Sequence, residues 1–216
     1  MSNPSIIKIC GLSTPEAVDA AIAGGATHMG LIFFEKSPRH VTVYSAAKLS
    51  RHAGNRIVKV AVSVDADDTY LDQIVEAVKP DLLQFHGHET PDRLREIKSR
   101  YGIPVMKAIA VREADDIEQA KGYIDIADMF LFDAKAPEGS EVPGGNGIAF
   151  DWTIMDQWVS DVPYMLSGGL NAGNVHEALK LSGADAIDIS SGVETVPGRK
   201  DPKLIREFLD GITGSD

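Results

Sequence analysis

Short apolar runs alternate with segments of helical periodicity along the whole chain. The apolar runs are almost continuous in Val, Ile, Leu and Phe, which is typical of parallel strands buried on both faces. Eight of them are predicted as strands: residues 6–10, 28–33, 57–62, 82–85, 105–110, 129–132, 164–166 and 186–189. The intervening segments predict helices at residues 14–24, 44–51, 69–78, from 90 onward, 112–119, 150–158, 174–181 and 202–209.

Capping residues support several of these helix boundaries. Thr14 followed by proline predicts a helix start, and the glycine pair beginning at Gly24 predicts its end. Thr90 is likewise followed by proline, and Pro80 is predicted to stop the helix over 69–78. The chain therefore reads as regular strand–helix units.

Eight strand–helix units predict a (β/α)₈ TIM barrel, with residues 1–216 forming a single α/β domain. A doubly wound open sheet is the alternative architecture. No change of composition and no low-complexity linker divides the chain. One connection, residues 133–149 (DAKAPEGSEVPGGNGIA), is long enough to be either functional or disordered.

The composition fits a globular protein that stays in the cytoplasm. Hydrophobic residues make up 44% of the chain and charged residues 25%, and a single cysteine excludes an internal disulfide. Residues 1–5 carry no basic segment, and the apolar run that follows is short. Neither a signal peptide nor a membrane span is therefore expected.

The chain is acidic, with 21 Lys and Arg against 32 Asp and Glu and a net charge of −11. No basic tract is present, so nucleic acid and anionic membranes are not expected as partners. An anionic ligand would have to be held by local groups against the overall field. The oligomeric state, monomer or homodimer, is left open.

In a barrel of this type, the chemistry lies at the carboxyl ends of the strands. This rule selects candidate residues from their position in the sequence alone. They are Cys10, Arg39, Gln84, His86, Asp133, Gly168, Gly169, Asp188, Ser190, Ser191 and Gly192.

The glycine turns after the last two predicted strands indicate a phosphate site. Glycine at Gly168-Gly169 and Gly192 lets a phosphate approach backbone N–H groups that a side chain would block. Phosphate-binding barrels place the anion after these same two strands. A pair of tight turns without a ligand is the alternative.

Cys10 ends the first strand, so it is either a small core residue or a reactive thiol. Lys8 shares its face of the strand, and a nearby ammonium would favour the thiolate. The alternative for Lys8 is an ion pair with a barrel carboxylate that leaves Cys10 unaffected. Asp188 could reach either ligand hydroxyls or Lys8.

Asp133 is either a cap at the loop start or an acid held in apolar surroundings. Arg39 could clamp a carboxylate, or it could be an ordinary surface residue. Gln84 and His86 are expected to support the reacting groups rather than to react. No metal-ligand spacing links the histidines and the cysteine, so neither metal nor cofactor is expected.

A small barrel with a phosphate pocket, one thiol, one acid and one arginine suits proton transfer on a sugar phosphate. Five segments then carry a family resemblance: KICGLSTPEAVDAAIAGGATHMGLIFFEKSPRHV, LLQFHG, FLFDAKAPEGSEVPGGNGIAFDW, LSGGLNAGNV and DISSGVETVPGRKD. Together they resemble the phosphoribosylanthranilate isomerase family of tryptophan biosynthesis. The resemblance runs from Lys8 to about Asp201, and the segments are specific jointly rather than singly.

The resemblance implies an Amadori rearrangement of N-(5-phosphoribosyl)anthranilate to 1-(2-carboxyphenylamino)-1-deoxyribulose 5-phosphate, without metal or organic cofactor. It implies that Cys10 is the general base, that Asp133 is the general acid and that Arg39 holds the anthranilate carboxylate. The long loop after Asp133 is expected to close over the substrate. Phe132, where family members often have leucine, is a conservative departure beside the acid.

The resemblance also implies that the glycine-rich turns at Gly168-Gly169 and at residues 190–192 hold the phosphate. Three other functions remain as alternatives. A histidine-pathway aminoaldose isomerase would carry an aspartate where this chain has Cys10. A bifunctional isomerase would serve both pathways. A non-catalytic barrel that binds a phosphometabolite would lack the acid or the base, and this chain has both.

Overall fold

In the computed structural model, which describes residues 3–214, eight parallel strands close into one barrel in the order β1 to β8. The predicted TIM barrel is therefore confirmed, and the open sheet is excluded. The strands are β1 Ile6–Cys10, β2 His28–Phe33, β3 Val58–Ser63, β4 Leu82–Phe85, β5 Val105–Val111, β6 Met129–Ala134, β7 Tyr164–Leu166 and β8 Ala186–Ile189. The predicted bounds are correct for β1, β2, β4, β7 and β8, and β3 lies one residue later than predicted.

Seven α-helices surround the barrel in the described residues. They are α1 Pro15–Ala23, α2 Val43–Ala53, α3 Asp68–Val78, α4 Pro91–Tyr101, α5 Ala114–Glu118, α6 Val175–Ser182 and α7 Pro202–Thr213. The side chains of Thr14 and Thr90 cap α1 and α4 as predicted, each accepting a hydrogen bond from a backbone N–H three residues on. No helix of residues 3–214 has the length and apolar character needed to cross a membrane.

Two predicted helices differ from the structure in helix type, and the predicted bounds of the others differ by up to four residues, the largest difference being at the end of α7. The segment predicted at 112–119 is the short α5 followed by a 3₁₀ helix at Gln119–Tyr123, which contains Gly122, a residue unfavourable in an α-helix. The segment predicted at 150–158 is a 3₁₀ helix at Trp152–Gln157. It ends where Trp158 turns to extended backbone and packs edge-on against two phenylalanine rings of β6.

Strand β6 is two residues longer than predicted. It pairs with β5 as far as Ala134, so Asp133 lies within the strand rather than beginning the loop. Aspartate is a poor strand former, which is why the pattern ended the strand at Phe132. The long connection accordingly starts at Lys135.

Strand residues alternate between the barrel interior and the surrounding helices. On β1, Ile7 and Ile9 belong to the large apolar cluster shared with the helices. Cys10 belongs to a smaller interior cluster, in which Leu131 of β6 also lies. Because side chains alternate along a strand, the interior-facing positions at the carboxyl ends are those of Cys10 and Asp133.

Phe132, next to the acid candidate, anchors β6 to the outer layer. Its fully buried ring lies 5.1 Å from the ring of Trp158 and 5.5 Å from that of Tyr164. We expect Phe132→Ala to lower the free energy of unfolding by about 3–5 kcal/mol, because it leaves a cavity. Urea denaturation followed by circular dichroism measures this loss. The exposed residue Val159 gives the control, and a Val159→Ala change of comparable size would contradict the assignment.

Candidate active site

A pocket opens at the carboxyl ends of the strands. Most of the predicted site residues line it: Cys10, Arg39, Gln84, His86, Asp133, Gly168, Gly169, Asp188, Ser190 and Ser191. Lys8 is fully buried one layer below, and Gly192 lies behind Ser191 in a short 3₁₀ helix, Ser191–Val193. The residues selected by their position at the strand ends, although distant in sequence, therefore lie together in the structure.

Lys8 and Asp188 form a buried ion pair beneath Cys10. Their α-carbons face each other across the β1–β8 pairing, and Lys8 Nζ donates to Asp188 Oδ1 at 2.8 Å. Burial acts to lower the pKa of Lys8, but the nearby Asp188 carboxylate and Cys10 thiol outweigh it and raise that pKa. Of the roles considered for Lys8, the structure thus shows the ion pair.

The Cys10 thiol is also buried, and burial raises its pKa. Lys8 acts in the predicted direction, toward the thiolate, and so does Lys200, but neither outweighs burial. The expectation that Lys8 favours the thiolate is therefore confirmed in direction, while the net pKa of Cys10, which the sequence left open, is raised by burial. Gly30 of β2 packs directly against Cys10, since an added β-carbon there would lie 2.8 Å from Sγ. Gly30 was not predicted as a site residue, because a glycine inside a strand does not show in the sequence which side chain packs against it.

Asp133 lies at the end of a line of polar side chains. Its Oδ2 is 3.4 Å from Nε2 of His86, and Nδ1 of His86 is 3.4 Å from Nε2 of Gln84. Gln84 and His86 thus lie beside the acid candidate on the pocket wall, and their supporting role stays a prediction. Gly144 of the long loop lies against both Asp133 and His86, and a side chain at this position would overlap the Asp133 carboxylate.

Arg39 is buried, so the alternative of a surface arginine is wrong. Its Nε and Nη2 donate to the two carboxylate oxygens of Glu194, each at 2.8 Å, and Nη2 also donates to the Gly145 carbonyl oxygen at 3.1 Å. Lys200 forms a second ion pair with Glu194. Burial favours the neutral form of Glu194, but the hydrogen bond from Arg39 and the charge of Lys200 prevail and lower its pKa.

Glu194 and Lys200 were missed at the sequence level. They belong to a small antiparallel hairpin after β8, formed by β9 Glu194–Val196 and β10 Arg199–Lys200. Strands this short leave no periodic pattern. The only sequence signal is the Pro-Gly turn between them, at Pro197 and Gly198.

The glycine turns after β7 and β8 are shaped by close backbone approach. Gly168 and Gly169 both have positive φ, and a β-carbon on Gly168 would lie 2.6 Å from the backbone N of Ala134. The amides of these two glycines donate to no group among residues 3–214. Two such N–H groups beside the pocket form a surface suited to a bound anion.

Ser190 links the last turn to the first strand. Its hydroxyl donates to the backbone carbonyl oxygen of Cys10 at 3.1 Å, and Lys200 Nζ donates to the Ser190 oxygen at 3.2 Å. Gly192 is packed against the Leu170 carbonyl oxygen, so that a side chain there would overlap it. The turns after β7 and β8 are therefore held against each other and against β1.

The closed barrel, with a thiol, a carboxyl and an arginine lining a pocket at its strand ends, places the protein in the class of TIM-barrel proteins. A profile of the N-(5'-phosphoribosyl)anthranilate (PRA) isomerase family matches residues 7–211. The chain belongs to this family. It is an isomerase of tryptophan biosynthesis, which decides against a non-catalytic barrel.

Named relatives and solved structures support the same family assignment. Proteins of Brucella canis and Brucella abortus named N-(5'-phosphoribosyl)anthranilate isomerase are 60% identical to the chain over 210 residues, covering 97% of it and 95% of each relative. The Thermotoga maritima phosphoribosyl anthranilate isomerase structure matches with a TM-score of 0.84 and 31% identity over 97% of this chain and 98% of that one. The Thermus thermophilus enzyme matches with a TM-score of 0.85 and 26% identity, covering 98% and 100%.

The raised pKa of Cys10 can be measured directly, because it is the only cysteine. We expect the thiolate absorbance in the far ultraviolet to appear only above the ordinary thiol range, since burial disfavours the anion. Cys10→Ser supplies the baseline, which includes tyrosine ionisation. An inflection at neutral pH or below, present in the wild type and absent from Cys10→Ser, would contradict the expected direction.

Proposed function

We propose that Cys10 and Asp133 are the general base and the general acid of the Amadori rearrangement of N-(5-phosphoribosyl)anthranilate. The observation that carries this proposal is that the two side chains face one pocket from different strands, β1 and β6. One group must begin as an acid and the other must act as a base. Two different side chains in different surroundings can satisfy that requirement.

Asp133 begins the reaction. Carrying a proton, it donates that proton to the furanose ring oxygen, the ring C–O bond breaks, and the nitrogen lone pair completes a Schiff base at C1. His86, 3.4 Å from Oδ2, and Gly144 of the loop confine the carboxyl on its pocket side. The apolar packing of Phe132 behind β6 fixes the strand from which the acid projects.

Cys10 completes the rearrangement by removing the proton from C2 of the sugar. The C–H electrons form the C1–C2 double bond, the Schiff-base nitrogen becomes neutral, and the resulting enolamine tautomerises to the 2-ketone. Only the thiolate can act as this base, and its raised pKa makes it a stronger base once it has formed. The ammonium groups of Lys8 and Lys200 stabilise the thiolate that burial disfavours.

The substrate's two anionic ends are assigned to opposite sides of the pocket. The free amides at Gly168 and Gly169, together with Ser190, Ser191 and Gly192, bind the phosphate. Arg39 binds the anthranilate carboxylate through Nη1, which makes no hydrogen bond within residues 3–214. A structural neighbour with 30% identity and a TM-score of 0.81 was solved with the reduced product analogue 1-(o-carboxyphenylamino)-1-deoxyribulose 5-phosphate, which carries both groups.

Asp188 and the loop complete the arrangement. Only Oδ1 of Asp188 bonds to Lys8, which leaves Oδ2 for a sugar hydroxyl. The loop is tied at its start by an ion pair between Lys135 and the buried Asp116, and its Gly144 and Gly145 cover the pocket and exclude water. A biosynthetic enzyme that depends on one free thiol fits the reducing cytoplasm, where we place it.

Removing either reacting group tests the proposed roles. We expect Cys10→Ser and Asp133→Asn each to reduce kcat by about 10²- to 10⁴-fold, the usual contribution of general acid–base catalysis. Consumption of phosphoribosylanthranilate is followed by its fluorescence. Thermal unfolding shows whether each variant keeps the fold, and a folded variant with wild-type turnover would refute that residue's role.

Arg39 is tested through KM. We expect Arg39→Ala to raise KM for phosphoribosylanthranilate at least tenfold, because a charge-assisted hydrogen bond to the carboxylate is lost. For N-(5-phosphoribosyl)aniline, which lacks the carboxylate, the same change is expected to have little effect on KM. An equal rise for both compounds would contradict carboxylate binding by Arg39.

A further inference from the structure

Glu194, in the hairpin after β8, has no part in the roles assigned so far, although its side chain is buried against Arg39. Glu194 is 3% exposed and Lys200 is 1% exposed in their side chains, and both lie in ion pairs. Burying charged groups costs free energy unless each is closely paired. The Glu194–Lys200 pair is therefore a costly feature to place beside a substrate site.

We propose that Glu194 is the positioning residue for Arg39, holding its guanidinium so that one edge faces the substrate carboxylate, and that the hairpin β9–β10 exists to place Glu194. This inference rests on the proposed role of Arg39.

The geometry of the guanidinium supports this role. Arg39 presents five N–H donors in a rigid planar fork. Glu194 takes one edge of the fork with both carboxylate oxygens, at 2.8 Å each, which fixes the plane and the rotation of the group. Because the guanidinium is rigid and planar, the same contact also fixes the direction in which the remaining nitrogen, Nη1, can donate a hydrogen bond.

The hairpin also packs against the loop that carries Arg39. Gly198, at the hairpin turn, has φ +85° and lies so close to Pro38 that a side chain would overlap the Pro38 carbonyl oxygen. Pro38 immediately precedes Arg39. The hairpin thus contacts this loop twice, through backbone at its turn and through Glu194 at its base.

The charges of Arg39, Glu194 and Lys200 also fit this role. Arg39 and Lys200 contribute two positive charges and Glu194 one negative charge, so the three residues retain one net positive charge. Arg39 paired with Glu194 alone would be neutral and would attract an anion weakly. Lys200 therefore lets Glu194 orient the arginine without cancelling its attraction, in a chain whose net charge is −11.

Glu194→Gln separates positioning from charge. It raises the net charge of the three residues, so electrostatics alone would lower KM for any anionic substrate. Positioning predicts the reverse: KM for phosphoribosylanthranilate rises about tenfold while kcat stays near wild type, because the bidentate hold on Arg39 is lost. KM for N-(5-phosphoribosyl)aniline should not rise, whereas general damage to the fold would affect both compounds.

The matched control is Glu177→Gln on the exposed face of α6, which makes the same chemical change away from the pocket and should leave both KM values unchanged. Glu194→Asp keeps the charge but is too short for the bidentate contact, and it should reduce the preference for the carboxylated substrate. If thermal unfolding shows that Glu194→Gln does not fold, Glu194→Asp decides.

The outcomes separate this proposal from the role of Arg39. Suppose that the Arg39→Ala enzyme no longer prefers phosphoribosylanthranilate over N-(5-phosphoribosyl)aniline, but the folded Glu194 variants still do. The positioning role of Glu194 is then overturned, while the proposed function stands. If Arg39→Ala keeps the preference, carboxylate binding by Arg39 fails and the positioning role fails with it. Loss of the preference in both Arg39→Ala and the Glu194 variants supports the proposal.

Discussion

The pairing of β1 with β8 is the contact on which both the barrel and its site depend. This pairing closes the ring of strands, and it places Lys8 opposite Asp188 in register. A slip of one residue would turn every side chain of β1 to the other face. Lys8 and Cys10 would then point into the helical layer, and Ile7 and Ile9 into the barrel.

A buried ion pair is weak grounds for stability, because desolvation offsets much of the attraction between its members. The Lys8–Asp188 pair instead fixes the register of β1 on β8 and changes the electrostatic potential at Cys10. The Lys8–Asp188 pair fits only one alignment of β1 on β8, and it puts an ammonium below the Cys10 thiol. One interaction therefore specifies how β1 pairs with β8 and sets the surroundings of Cys10, the proposed base.

The barrel and the strand-end residues could be predicted from sequence because they follow from periodicity and topology. Buried parallel strands leave continuous apolar runs, and all eight strands point their carboxyl ends the same way. The contacts among the selected residues could not be predicted. The pairing of Arg39 with Glu194 joins residues 155 positions apart through a hairpin too short to leave a pattern. The direction in which the pKa of Cys10 shifts depends on whether burial has a larger effect than the nearby ammonium groups of Lys8 and Lys200. The spacing of residues in the sequence does not reveal this balance.

The same physical problem recurs at both ends of the substrate pocket. A substrate with two anionic groups must enter an acidic protein, yet an unpaired cation buried in the site would be unstable. Glu194 balances the positive charge of Arg39, and Lys200 returns the net charge of the three residues to +1. At the glycine turns no side-chain charge is needed, because backbone N–H dipoles are already fixed by the closeness of Gly168 to Ala134. In the proposed binding mode, each anionic group of the substrate thus meets groups that are oriented before it arrives, which reduces the reorganisation that accompanies proton transfer.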